Sequence, residues 1–217
     1  MRLGIYGGTF DPIHLGHLLL AESCLEACRL DEVRFVPAWR NPLKPAAGSG
    51  GGEATPGKLR AEMIAFAIAG HERFKVDSRE LKREASSYTV DTLRDFAKEL
   101  PQAELYFLMG ADAWRDFAAW REPLEILRLA SVVVVNRPGD AVDFDAPLRA
   151  IAVSQGTPEN ECAEFVSEWR PRVQSATMPA IGLAGRDIRA RVREGRSVRF
   201  QVPRAVECLI EQHRLYR

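Results

Sequence analysis

The chain predicts an α/β fold, a doubly wound parallel sheet with flanking helices and a small C-terminal helical part, and three observations carry that expectation. Short apolar runs at 3–6, 33–37, 74–78, 104–109 and 131–136 alternate with longer stretches whose apolar residues recur at helical spacing. The first run opens directly into Gly7-Gly8 and then an amphipathic pattern, which reads as strand, tight turn and helix. The runs at 104–109 and 131–136 have no polar face, as expected of parallel strands covered on both sides.

Taken in order, the run at 33–37 follows the first helix and completes a βαβ unit with right-handed crossover, the start of a Rossmann-like sheet. Residues 58–69 return to helical periodicity through Leu59, Met63, Phe66 and Ala67, and 74–78 supplies a third strand. A polar connection at 81–87 leads to a helix whose stripe is Val90, Leu93, Ala97 and Leu100, with Thr89 as its N-cap. Between 140 and 175 the pattern is weak, with a helix expected over 158–169 and a last strand over 173–177. Length suits one domain, with 1–180 as the core and 181–217 as a helical segment.

Composition narrows the function. Thirty Lys and Arg balance thirty Asp and Glu, so no overall field draws the protein to nucleic acid or to a membrane, and any anion site must be local. The start has no sustained apolar stretch and the longest apolar runs are far too short to span a bilayer, so a cytoplasmic protein is expected. Four cysteines lack the C-x-x-C spacing of a zinc site, and Cys24 and Cys28 fit a helix packed on a sheet.

The chemistry concentrates in Gly7-Gly8-Thr9-Phe10-Asp11-Pro12-Ile13-His14-Leu15-Gly16-His17. Adjacent glycines allow positive φ and the close approach of a bulky anion, and the helix start beyond them presents N–H groups to it. His14 and His17, three apart, share a face there and can donate hydrogen bonds to phosphate oxygens. A metal pair is the other use of two histidines, but the spacing is not that of a zincin helix. Lys44 sits in a proline-stiffened loop after the second strand, and is either a solvated lysine or a phosphate ligand. Residues 46–57, rich in Gly, Ala, Ser and Pro, read equally as a lid or a plain surface loop.

This string resembles the signature of the nucleotidylyltransferase superfamily, and in particular the bacterial nicotinate-nucleotide adenylyltransferases. Further motifs follow in the same order: Lys44 ending a Pro-x-Lys loop whose family histidine is replaced by Leu43, Arg60 with Met63, Ser87-Tyr88-Thr89 with Asp91-Thr92-Leu93, Gly110-Ala111-Asp112 with Trp120 downstream, and Arg137-Pro138-Gly139. The resemblance implies that His14, His17 and Lys44 are catalytic, and that Gly7, Gly8, Thr9, Phe10, Gly110, Asp112 and Arg137 join the histidines around ATP. It likewise implies that Tyr88 and Thr89 receive a nicotinate carboxylate while Trp120 stacks on the pyridine ring; core packing and helix capping are the structural alternatives for these residues.

One departure stands out. Where the family has Ile-Ser-Ser-Thr-x-Ile-Arg around the ATP phosphates, this chain has Leu183-Ala184-Gly185-Arg186-Asp187-Ile188-Arg189, with every hydroxyl gone. Arg186 and Arg189 fall on one helix face, Ile188 lies between them, and residues 186–204 hold seven arginines against one Asp and one Glu. The reaction implied is adenylyl transfer from ATP to nicotinate mononucleotide, with Mg²⁺ on the nucleotide, no protein-held metal, and the segment 181–217 closing the ATP site. The lost hydroxyls keep two rivals open: an enzyme acting on another phosphate acceptor, and a nucleotide-binding sensor.

Overall fold

A computed structural model describes residues 1–40, 55–139 and 141–217. Six parallel strands form one sheet: β1 (Arg2–Gly8), β2 (Glu32–Pro37), β3 (Phe74–Val76), β4 (Glu104–Gly110), β5 (Ser131–Asn136) and β6 (Val173–Thr177). Their order is β3-β2-β1-β4-β5-β6, so the chain reverses its direction of winding between β1 and β4. Ile5 fixes the register there, opposite Arg34 on one side and Phe107 on the other. The five apolar runs and the last stretch expected at 173–177 are all strands, and the loops at their C-terminal ends surround the crevice at the reversal.

Among the described residues ten α-helices cover the sheet: α1 (Leu15–Ala27), α2 (Gly57–Ala67), α3 (Arg79–Arg83), α4 (Thr89–Glu99), α5 (Ala111–Arg115), α6 (Pro123–Leu129), α7 (Ala146–Ser154), α8 (Cys162–Trp169), α9 (Gly185–Arg193) and α10 (Arg204–Gln212). The period-two alternation of each strand sorts its side chains into two cores. Tyr6, Phe35, Leu108 and Val133 join Leu20, Cys24, Met63, Ile188, Val206 and Ile210 on one face. Leu3, Ile5, Phe107, Met109, Val132 and Val134 join Leu93, Phe96, Trp114, Phe117, Ile126, Leu148 and Val166 on the other. The C-terminal helices thus share a core with α1 and α2, and Cys24 and Cys28 are buried packing residues.

Several local expectations are corrected. The connection at 81–87 contains part of a short helix, α3, whose Glu80 turns inward, and α7 occupies a stretch where the pattern was too weak to read. The helix expected from residue 158 begins with a 3-10 turn and becomes α8 only at Cys162. Tyr88, not Thr89, is the N-cap of α4, Thr89 being its first helical residue, and no side chain caps that end. On the same helix Phe96 takes the fully buried place, with Ala97 and Leu100 only packed against its cluster. Among the described residues no helix is long and apolar enough to cross a membrane.

Candidate active site

The signature loop leaves β1 and enters α1 under tight constraint. Positive φ falls on Phe10, at 49°, and not on Gly7 or Gly8, which remain part of the strand. The need for Gly8 is steric: a Cβ there would sit 3.0 Å from the Phe10 ring, which folds back over it. Phe10 is buried among Tyr6, Phe35 and His17, so the left-handed residue is anchored by aromatic packing. Arg60, buried on α2, donates to the carbonyls of Thr9 at 2.6 Å, Ala38 at 2.7 Å and Thr55 at 2.9 Å. Its job is therefore to hold the loop backbone.

His14 is the N-cap of α1 and His17 its third residue; their rings stack with centroids 3.7 Å apart. The His14 backbone N–H donates to His17 Nδ1 at 3.2 Å, which makes Nε2 the protonated nitrogen of a neutral His17 ring. His14 is 5% exposed, its Nδ1 is buried without a hydrogen-bond partner, and burial pulls its pKa down to about 4. A buried imidazole in that state is a neutral hydrogen-bonding group. The α1 end is also less open to an anion than expected, because the Leu15 N–H donates to Gln201 O at 3.0 Å.

Beside this loop lies a cavity of about 410 Å³ at the β1–β4 reversal. Gly7 and Gly8 form one part of its wall, Tyr88 and Thr89 at the start of α4 another, and Phe107, Ala119, Trp120 and Arg121 a third. Glu80 lies at its edge with Ser87. Burial pushes the Glu80 carboxyl up, against hydrogen bonds from Thr92 Oγ1, at 2.5 Å, and from Ser87. Trp120 meets Phe107 edge-on at 5.8 Å, leaving its ring beside the cavity, while Trp114 is fully buried and donates to the Asp143 carbonyl. Gly7, Gly8, Tyr88, Thr89 and Trp120 are thus brought together.

Other sequence candidates are distributed differently. Gly110 ends β4, Asp112 is exposed in the first turn of α5, and Arg137 is exposed just beyond β5, all at the C-terminal edge of the sheet. Lys44 lies outside the described residues. Arg186 and Arg189, expected on one helix face, are engaged differently: Arg189 Nη1 donates to the Asp11 carbonyl at 2.6 Å, whereas the Arg186 side chain is 83% exposed. Ile188 is fully buried and its side chain cannot touch a nucleotide. Gly185 explains one of the lost hydroxyls, since a Cβ there would stand 3.0 Å from Asp11 O.

Sequence reasoning missed Arg121 and Glu80 in the cavity lining and the bond made by Tyr216. Tyr216 reaches from the C-terminus to donate its hydroxyl to Asp11 Oδ1 at 2.5 Å, with Thr55 as a further partner. Position along the chain gave no hint of it, because the partner is 205 residues away.

Comparison with known proteins fits this geometry. Residues 5–178 match the model of the cytidylyltransferase-like family. A probable nicotinate-nucleotide adenylyltransferase of Thermus thermophilus is 44% identical over 218 residues, covering 100% of both chains, and one of Pelobacter propionicus is 37% identical, covering 100% of this chain and 98% of its own. The solved structure of Plasmodium falciparum nicotinic acid mononucleotide adenylyltransferase complexed with NaAD superposes with a TM-score of 0.71 at 18% identity, over 99% of this chain and 97% of that one, which shows the shared fold. On the sheet, the signature loop and these full-length relatives together, the chain belongs to the cytidylyltransferase-like family and, within it, to the nicotinate-nucleotide adenylyltransferases.

Proposed function

We infer that this protein transfers the adenylyl group of ATP to nicotinate mononucleotide, giving deamido-NAD and pyrophosphate. The observation that carries this reading is the cavity at the β1–β4 reversal, walled by Trp120, by the start of α4 and by the glycines of the loop that holds the stacked His14 and His17. An aromatic face beside a helix N-terminus suits a flat ring bearing a carboxylate, and the adjoining histidine loop suits phosphates.

The 5′-phosphate of the mononucleotide is its own nucleophile. One of its oxygens forms a bond to the α-phosphorus of ATP as the bond from that phosphorus to the bridging oxygen breaks, and pyrophosphate leaves with the electron pair. No general base is required, so the protein's contribution is alignment and charge stabilisation. In this proposal His17, and His14 as a neutral donor, hold the α-phosphate region, Lys44 the entering phosphate, and Arg186 the departing pyrophosphate. Gly7, Gly8, Thr9, Gly110, Asp112 and Arg137 border the nucleotide, while Phe10 and Arg189 support the loop. Mg²⁺ arrives on the ATP oxygens, in keeping with its preference for phosphate and water ligands; among the described residues no group of three or more His, Cys, Asp or Glu side chains could hold a metal.

Pyrophosphate release from Mg-ATP, with nicotinate mononucleotide, nicotinamide mononucleotide or phosphopantetheine offered separately, tests the reading. Release is expected to be fastest with the first. Release with phosphopantetheine alone, or with none of the three while ATP still binds, overturns it.

A further inference from the structure

The ring cavity holds a single side-chain cation among its described lining residues, and nothing in the reaction described so far uses it. We propose that the Arg121 guanidinium is the side chain that makes this site prefer a pyridine carboxylate to a pyridine carboxamide. The inference rests on the function proposed above and assigns its acid specificity to one residue.

Geometry places the cation where a carboxylate would need it. Arg121 directly follows Trp120, and its guanidinium carbon stands 4.7 Å from the centre of the Tyr88 ring. Tyr88 is the N-cap of α4, so a side-chain cation and a helix N-terminus adjoin where two parts of the cavity wall meet. The turn carrying Arg121 is held in an uncommon conformation: Glu122, the N-cap of α6, has φ of 51°, and Pro123 follows.

Its existing partners leave the guanidinium available. Asp91 Oδ2 and Glu122 Oε1 form ion pairs with it at 3.6 Å, longer than a hydrogen bond, and Glu122 already accepts from Arg94 Nη2 at 2.5 Å. The Arg121 side chain is half exposed, so a ligand carboxylate can meet it without displacing packed atoms. By contrast Arg79, on the neighbouring α3, is committed to Asp77 and Glu99 through short hydrogen bonds.

The single carboxyl among those lining residues is engaged by groups of the protein itself. Glu80 is 5% exposed and accepts hydrogen bonds from Thr92 and Ser87; burial raises its carboxyl pKa, while those bonds and the nearby Arg83 and Arg79 lower it. A carboxamide in the place of the ligand carboxylate carries no charge for Arg121, and its NH₂ group would face the donors of the guanidinium and of the α4 N-terminus.

The test is kcat/KM for nicotinate and nicotinamide mononucleotides in the natural protein, Arg121→Met and Arg121→Lys. The Met variant keeps the aliphatic length and removes the charge. Its acid-over-amide ratio is expected to fall about tenfold, chiefly through a higher KM for the nicotinate substrate, and the Lys variant is expected to recover most of the loss. Both substrates are read on the same preparation, so poor folding cancels from the ratio. A fall of about fivefold or more in the Met variant with recovery in Lys supports the assignment; a smaller change, an equal loss on both substrates, or no recovery overturns it. If the natural protein releases no pyrophosphate with either nucleotide, the functional reading fails and takes this inference with it, whereas an unchanged ratio in an active enzyme sinks the role of Arg121 alone.

Discussion

His14 shows how burial sets the working state of one side chain. In the folded protein its imidazole stays neutral down to about 4, while in the unfolded chain it takes a proton near the ordinary histidine value of 6.5. Between those two values the unfolded state binds more protons, so this contribution to stability is complete above about 6.5 and is lost as the pH falls toward 4. A shift of this size corresponds to roughly 3 kcal/mol. Urea unfolding at several pH values should therefore show the natural protein losing about that much more than His14→Gln on going from pH 7 to pH 4; parallel losses would mean that His14 is protonated inside the fold. His17 makes a different prediction. It is only partly buried, and its Nδ1 accepts from the His14 backbone at 3.2 Å. His17→Ala should lower kcat by about 10²- to 10³-fold while costing only about 1 kcal/mol of stability. A variant with near-normal turnover would remove His17 from the proposed chemistry.

At the level of elements, α9 shows why a hydroxyl-free motif can still support the site. Its N-terminus is pressed against the signature loop, with Arg189 donating to Asp11 O and Gly185 lying where a Cβ would come within 3.0 Å of the same oxygen. Ala184 is the N-cap, with φ −135° and ψ 143°, the extended backbone that a capping serine adopts, and no side chain caps the helix. Ala184→Ser should therefore stabilise the protein by about 1 kcal/mol. Gly185→Ser should destabilise it by a similar amount, about 1 kcal/mol or more, because the loop must shift. Thermal or urea denaturation of the two variants checks both signs, and stabilisation by each would show that the approach to Asp11 is loose. The same contrast marks what could be read from the chain. Apolar runs such as 131–136 can only be covered strands, so the sheet was legible. The α3 segment is short and charged, and its inward-facing Glu80 breaks the helical pattern, so it was not. Around the site, motifs located Gly7, Gly8, Tyr88, Thr89 and Trp120, but Arg60, Arg189 and Tyr216 act on loop groups 51, 178 and 205 residues away, and no local pattern encodes such partners.

Across the whole molecule these long-range bonds make the signature loop a meeting point. The loop at the end of β1 is held by α2 through Arg60, by α9 through Arg189 and by the C-terminus through Tyr216. Leu215 and Tyr216 also pack against the core shared by α1, α2, α9 and α10. The tail is therefore part of the cooperative unit and not an appendage, and its loss should be felt at the opposite end of the chain. Tyr216 is well suited to the role: burial, reinforced by the charge and hydrogen bond of Asp11, holds its phenol well above its ordinary pKa, so it remains a hydrogen-bond donor throughout the working pH range. Tyr216→Phe keeps the ring and deletes that donor, leaving Asp11 Oδ1 without this partner. The expected cost is about 1–3 kcal/mol, which for a chain of this size lowers the unfolding midpoint by several degrees, about 2–4 °C per kcal/mol. Unfolding should remain a single transition, followed equally by tryptophan fluorescence, which reports from the sheet face carrying Trp114, and by far-ultraviolet dichroism. Saturating Mg-ATP should restore part of the loss, because a ligand that binds only the folded loop adds stability by mass action, about 2.7 kcal/mol at a hundred times its Kd. Two separate transitions, or a midpoint that does not move, would show instead that the C-terminus rests on the signature loop without supporting it.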